Sequence, residues 1–159
     1  SLDSNEIDIS EDEVEVVTFT KQIFDKFHLI KGDKTLSFET AMSEEWVKMD
    51  EFHMENSLGN LVDNAIKYGG DDIKVRLSAN HESIFWEVID NGGKINKLDR
   101  VRILDKFYRV PTGNVHDVKG FGIGLYYTKT LVEKHGGSVD LKVTPNSTNF
   151  SIQLPKKNA

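Results

Sequence analysis

Asn60, Asn64 and Lys67 stand at i, i+4 and i+7 in the run Asn56-Ser57-Leu58-Gly59-Asn60-Leu61-Val62-Asp63-Asn64-Ala65-Ile66-Lys67-Tyr68. On a helix that spacing gathers the three side chains on one stripe. Leu58, Leu61, Val62, Ala65 and Ile66 fall on the opposite stripe. A solvated polar face is the plain reading. Solvated faces usually carry Glu, Lys and Gln, because Asn is a poor former of helix interiors. An Asn carbonyl is a hard oxygen ligand suited to Mg2+, and a Lys ammonium is a point charge suited to phosphate. The chemistry on offer is the holding of a metal and a phosphate together.

Two further segments offer related chemistry. Asp90-Asn91-Gly92-Gly93-Lys94-Ile95 follows a strand pattern. It reads either as a bare turn or as a carboxylate accepting from an amine donor, with glycines letting backbone approach a flat ring. Lys119-Gly120-Phe121-Gly122-Ile123-Gly124-Leu125 leads into a helix pattern. Alternating glycines at a helix N-terminus expose backbone N–H groups to an anion. A purely structural glycine loop is the alternative. Neither a dinucleotide fingerprint nor a P-loop is present, because Leu125 stands where the first needs glycine and no Gly-x4-Gly-Lys-Ser/Thr occurs.

The elements that must position these residues follow from periodicity. Residues 3 to 15 are acidic without Lys or Arg. They read as a solvated segment whose Ser10-Glu11-Asp12-Glu13 forms a capping box for a first helix. Val16, Phe19, Ile23, Phe27 and Ile30 supply its apolar spacing. Lys31-Gly32-Asp33-Lys34 is a turn. Leu36 to Glu39 and Trp46 to Met49 are strand candidates. Asp50 to Tyr68 is a second helix stopped by Gly69-Gly70. Ile73 to Ala79 and Ser83 to Asp90 are strands. Residues 91 to 124 are irregular apart from a short helical piece near Leu98 to Phe107. Leu125 to His135 is a third helix, stopped by Gly136-Gly137. Val139, Leu141 and Val143, then Phe150, Ile152 and Leu154, form a closing hairpin. The sum is a helical layer over one mixed sheet.

Composition excludes several classes. A chain of 159 residues is one domain, here 1–159, with residues 1–9 as a flexible lead-in. Cysteine is absent, which rules out disulfides, thiol catalysis and a cysteine zinc site. Hydrophobic residues at 38% and charged residues at 29% indicate a soluble globular balance. Apolar runs are far short of the ~20 residues that span a bilayer. Ser1 to Glu6 carries no signal-peptide pattern. The net charge of -6 argues against nucleic acid as a partner.

In order and spacing, these segments resemble the two-component sensor histidine kinases. Asn60 to Tyr68 resembles their N-box, and Asp90-Asn91-Gly92 their first glycine box. Leu104-Asp105-Lys106-Phe107-Tyr108-Arg109 resembles their F-box, and Gly120 to Leu125 their second glycine box. The likeness covers about residues 7 to 155. It has two departures: Lys94 stands where a second glycine is usual, and Asn146-Ser147-Thr148 keeps a Thr without the preceding Gly.

The resemblance implies the ATP-binding catalytic domain of the fold shared with gyrase-type ATPases. That is an α/β two-layer sandwich, with a mixed, mostly antiparallel sheet against three helices. It implies ATP and Mg2+ as cofactors. Asn64 would hold Mg2+ with Asn60 assisting, and Lys67 would meet a phosphate. Tyr68 would lie along adenine, Asp90 would accept from its exocyclic amine, and Gly92 and Ile95 would line the ring. Thr148 would act through water, and Arg109 would reach the γ-phosphate. Gly120, Gly122, Gly124 and Leu125 would form the phosphate loop. Residues 110–119 would be the lid, and Phe107 and Tyr108 either a hinge or plain core.

The phosphate acceptor in that family is a His on a separate helical dimerisation domain. Only His81 here precedes a Glu, and it lies in a turn. The expected parent therefore carries the acceptor helix upstream, is membrane-anchored, and passes phosphate to a response regulator. This domain itself would be cytoplasmic without direct membrane contact. The other readings are a gyrase-type ATP hydrolase and a nucleotide-binding scaffold without catalysis.

Overall fold

The structure, a computed structural model, describes residues 7–92 and 115–157. In chain order its elements are β1 (Asp12–Glu15), α1 (Val16–Ile30), β2 (Thr35–Thr40), β3 (Trp46–Met49), α2 (Glu51–Tyr68), β4 (Asp72–Ala79), β5 (Ser83–Asp90), α3 (Val115–Lys134), β6 (Ser138–Thr144) and β7 (Ser147–Pro155).

Alternation of side chains decides the main sheet. Ile73, Val75 and Leu77 of β4 point to the same face as Ile84, Trp86 and Val88 of β5 and Phe150, Ile152 and Leu154 of β7, and all are buried. The strand order is β2-β4-β5-β7-β6. Only β2 and β4 run parallel, with Leu36 opposite Ile73 and Phe38 opposite Val75. The other pairings are antiparallel, and Trp86 lies between Leu77 and Ile152 in register. The opposite face carries a charged ladder from Lys74 and Arg76 through Glu39 and Glu87 to Asn149.

The helices cover the apolar face. Val16, Phe19, Ile23 and Phe27 of α1 enter the core with Met54, Leu58, Leu61 and Val62 of α2 and Leu125 and Val132 of α3. Trp86 meets Phe19 edge-on with ring centroids 6.1 Å apart. Its indole N–H donates to Thr20 Oγ1 at 2.8 Å, and Thr20 donates to the Val16 carbonyl at 2.7 Å. The buried indole is thereby satisfied. Among the described residues the architecture is the expected sandwich of three helices on a mostly antiparallel sheet.

One expectation is corrected: no capping box forms at Ser10. Asp12 to Glu15 is a strand paired with β3 in a small second sheet, with Val14 and Val47 opposite and buried. Glu15 caps α1 instead: its carboxylate accepts from the Val17 and Thr18 amides at 2.9 and 2.8 Å and from the Glu45 amide at 2.8 Å. Of the lead-in residues described, Ile7 is buried and its carbonyl accepts from Lys134 at 2.6 Å. Helix α3 runs from Val115, so residues 115–119 and the glycines after them are helical. Once nucleated, a helix propagates through glycine at about 1 kcal/mol each relative to Ala, and no proline interrupts this one. Residues 110–114 lie outside the described residues, as does the short helical piece near 98–107. No helix among the described residues is long and apolar enough to cross a membrane.

The Glu15 cap gives a pH-dependent expectation. Partial desolvation raises its carboxyl pKa, but the donated hydrogen bonds from Glu45, Thr18 and Val17 outweigh this and bring it down to about 2 from 4.5. A depressed folded-state pKa contributes stability above the unfolded value that is lost as pH falls toward the folded one. Glu15→Ala should cost about 1–2 kcal/mol at neutral pH, measured by urea unfolding. The gap to the wild type should shrink between pH 4.5 and about 2. A gap that stays constant across that window would contradict the role given to Glu15.

Candidate functional site

Helix α2 carries the polar stripe, and its N-terminus is fixed from several directions. Asp50 caps it, accepting from the His53 amide at 3.0 Å and from the Ser10 amide at 2.7 Å. The Asp50 amide donates to His135 Nε2 at 3.0 Å, and His135 Nδ1 bonds the Leu131 carbonyl at 2.8 Å. His135 is 1% exposed with both ring nitrogens engaged, so its role is to clamp α3 to α2. His53 Nδ1 and the Tyr127 hydroxyl lie 2.7 Å apart. Burial pushes the Tyr127 hydroxyl pKa up, opposed by a hydrogen bond with Asn56 and aided by the Asp50 charge.

The stripe is solvated only in part, with Lys67 exposed, Asn60 half-buried and Asn64 buried. Asn64 is 7% exposed, and its Nδ2 is buried without a hydrogen-bond partner among the described residues. An unpartnered buried amide costs about 1–3 kcal/mol, which a purely structural residue has no reason to carry. One turn earlier, Asn60 Nδ2 donates to the Gly124 carbonyl at 3.3 Å, joining α2 to α3. Lys67 turns outward onto Asp63 at 2.9 Å, and that hydrogen bond, with the carboxylate charge, raises the Lys67 pKa. Among the described residues no cluster of three or more His, Asp or Glu side chains forms a protein-only metal cage. Mg2+ takes few protein oxygens and completes its shell with substrate phosphates and water, and an Asn oxygen is a hard donor that fits such a shell.

At the other end of α2 the chain meets β5. Asp90 is 5% exposed, and its Oδ1 accepts from the Gly92 amide at 2.8 Å and the Gly70 amide at 3.1 Å. Thr148 stands opposite Asp90 on β7, is itself buried, and donates to the Gly92 carbonyl at 2.5 Å. Asp90 is thus a buried carboxylate that also closes the turn to Gly92.

Gly69 and Gly70 do more than stop α2. Gly69 has φ −87, so no left-handed cap requires it. A Cβ there would lie 2.6 Å from Asp90 Cγ, and one at Gly70 would lie 2.1 Å from Asn91 Oδ1. Sequence reasoning missed this close approach. The available signal was the second glycine, since one residue suffices to end a helix. The Gly136-Gly137 pair divides the labour differently: Gly136 is left-handed at φ +81, and Gly137 packs where a Cβ would meet the Gln153 carbonyl at 2.0 Å.

The glycine-rich segment departs from expectation. Gly120, Gly122 and Gly124 lie inside α3, where backbone N–H groups serve the helix and are not presented to an anion. Leu125 is fully buried and packs in the core. Ile95 and Arg109 lie outside the described residues, as do Lys94, Phe107 and Tyr108. What the structure brings together is Asn60 with Gly124 at one place on α2, and Tyr68, Gly69 and Asp90 with Gly92 and Thr148 two turns on. The helical rise from Asn60 to Tyr68 is about 12 Å.

The family described as histidine kinase-, DNA gyrase B- and HSP90-like ATPase matches residues 49–158, and the chain belongs to it. The sensor protein RprX of Bacteroides fragilis (strain YCH46) is 41% identical over 111 residues, covering 67% of this chain and 21% of RprX. The catalytic domain of histidine kinase ThkA superposes with a TM-score of 0.81 at 23% identity, covering 93% of this chain and 97% of that one. Full-length ShkA in complex with AMPPNP gives a TM-score of 0.79 at 21% identity, covering 96% of this chain and 32% of that one. The chain spans about a fifth of the length of the curated relatives it matches.

Proposed function

We propose that the chain is the ATP-binding catalytic domain of a sensor histidine kinase, which donates the γ-phosphate of Mg-ATP to a His on a separate helical dimerisation domain. The observation that carries this reading is the placement, along one helix, of a buried, unpartnered Asn64 beside Asn60, with a buried Asp90 carboxylate at that helix's end. Asp90 accepts from the exocyclic amine at C6 of adenine, where guanine presents a carbonyl. Tyr68 lies against the base, Gly92 lines it, and Thr148 fixes the Gly92 backbone. Asn64 offers its oxygen to Mg2+, and Asn60 assists. Bound Mg2+ neutralises charge on the phosphates. Lys67 leaves Asp63 to reach a phosphate. Arg109 and Ile95 keep their expected roles at the γ-phosphate and the base. For Gly120, Gly122 and Gly124 to cradle phosphates, their amides must leave the helix, which glycine makes inexpensive. The parent protein is membrane-anchored with this domain on the cytoplasmic side, and a response regulator receives the phosphate.

Asn60 decides between kinase and hydrolase. The hydrolases of this fold place a Glu one turn before the metal-binding Asn, where it activates water. An amide has no useful basicity near neutral pH. The 159-residue chain should therefore bind Mg-ATP, fail to label itself and hydrolyse slowly. A dimeric acceptor-helix domain added in trans should become labelled on its His. Steady hydrolysis abolished by Asn60→Ala would favour the hydrolase, and weak binding indifferent to Mg2+ would favour a scaffold.

A further inference from the structure

Lys34 lies in the turn between α1 and β2, outside every segment assigned a chemical role above. Its Nζ donates to the Gly69 and Gly70 carbonyls, both at 3.0 Å, and lies 4.0 Å from Asp71. Its side chain is only 22% exposed. These carbonyls end α2, where orphan acceptors collect and a cation complements the helix dipole. They belong to two glycines, which have no side chains by which packing could hold them. Yet the dipeptide must keep close order, because Gly70 donates its amide to Asp90 Oδ1 at 3.1 Å. Its neighbour Gly69 approaches the same carboxylate too closely for any Cβ. Asn91 closes the other side, its Oδ1 accepting from the Asp72 amide at 3.0 Å.

We propose that Lys34 is a positioning residue for base recognition: its ammonium pins Gly69 and Gly70 so that the Gly70 amide sets the orientation of the Asp90 carboxylate. This rests on the proposed reading of Asp90 as the adenine acceptor. Lys34 touches no nucleotide. It acts through two carbonyls and one amide, so its removal should affect discrimination between bases more than phosphate binding.

The test compares Mg-ATP with Mg-ITP, which carries a carbonyl where ATP has the exocyclic amine. Dissociation constants are measured by calorimetry on the 159-residue chain, well below each variant's melting temperature. Lys34→Met is expected to weaken ATP about tenfold, in line with losing hydrogen bonds to a charged group, and to leave ITP within about twofold. Lys34→Arg should restore most of the preference. Lys34→Gln, reaching one carbonyl at a time, should fall between and serves if Lys34→Met does not fold. Asp90→Asn is the control. If it leaves the ATP-to-ITP ratio at the wild-type value, the reading of Asp90 fails. If it collapses the ratio while the Lys34 variants keep it, or weaken both nucleotides equally, the positioning role is overturned. Loss of the ratio in both, with the double variant no worse than Asp90→Asn alone, supports it.

Discussion

Asn64→Ala is expected to lower Mg2+-dependent ATP affinity by more than about 100-fold while leaving the melting temperature at or above that of the wild type. Outer-shell partners of a metal typically cost 10–100-fold when removed, and a direct ligand should exceed about that range. The stability half rests on opposing terms. Removing the side chain from a site 7% exposed leaves a small cavity, which destabilises. Against it, the variant no longer buries an unpartnered Nδ2, an atom whose desolvation costs about 1–3 kcal/mol. Ala also gains about 0.5 kcal/mol of helix propensity over Asn. The relief matches or outweighs the cavity. Calorimetric titration with and without Mg2+, together with a thermal melt, checks both halves. A melting temperature lowered by many degrees with unchanged affinity would make Asn64 a structural residue.

Asp90→Asn is expected to weaken ATP by about 1.5–3 kcal/mol, the range for a hydrogen bond to a charged group, and to blur the preference for ATP over GTP. The substitution is mild for the fold. The Asn oxygen can still accept from the Gly70 and Gly92 amides that now share Oδ1. The second carboxylate oxygen becomes an NH2 group, which sets donor against donor where adenine presents its amine. Asp90→Ala would be a poorer test, because it strands two amides at a buried site. Competition binding with ATP and GTP gives the answer. Equal affinities in wild type and variant for both nucleotides would reduce Asp90 to a holder of the Gly70–Gly92 turn.

Much was legible from residue order alone because its causes are local. Period-two alternation in Ile73 to Ala79 reflects the pleat, Ser83 to Asp90 is a short run apolar on both faces, and both became strands of the stated sheet. The apolar stripe of Leu58, Leu61, Val62 and Ala65 reflects 3.6 residues per turn, and all four are buried. The order of the four motif segments pointed to the family to which the chain belongs.

The errors share the opposite cause. Asp12 to Glu15 looked solvated because nothing within a turn of it shows that Val14 will face Val47. The polar stripe looked exposed because α3, which meets it through Asn60 and Gly124, lies 64 residues further on. Gly69 does cap α2, but the close approach of the glycine pair to Asp90 was hidden because Asp90 is distant in sequence, with Gly70 reaching it across 20 residues. The Lys34 contact spans 35 residues to Gly69 and leaves no mark on either segment. Spacing within a few residues determines which elements form and which side chains share a face. Burial, close approach and the partner of a buried polar atom are properties of surfaces brought together only on folding, so the tertiary structure alone decided them.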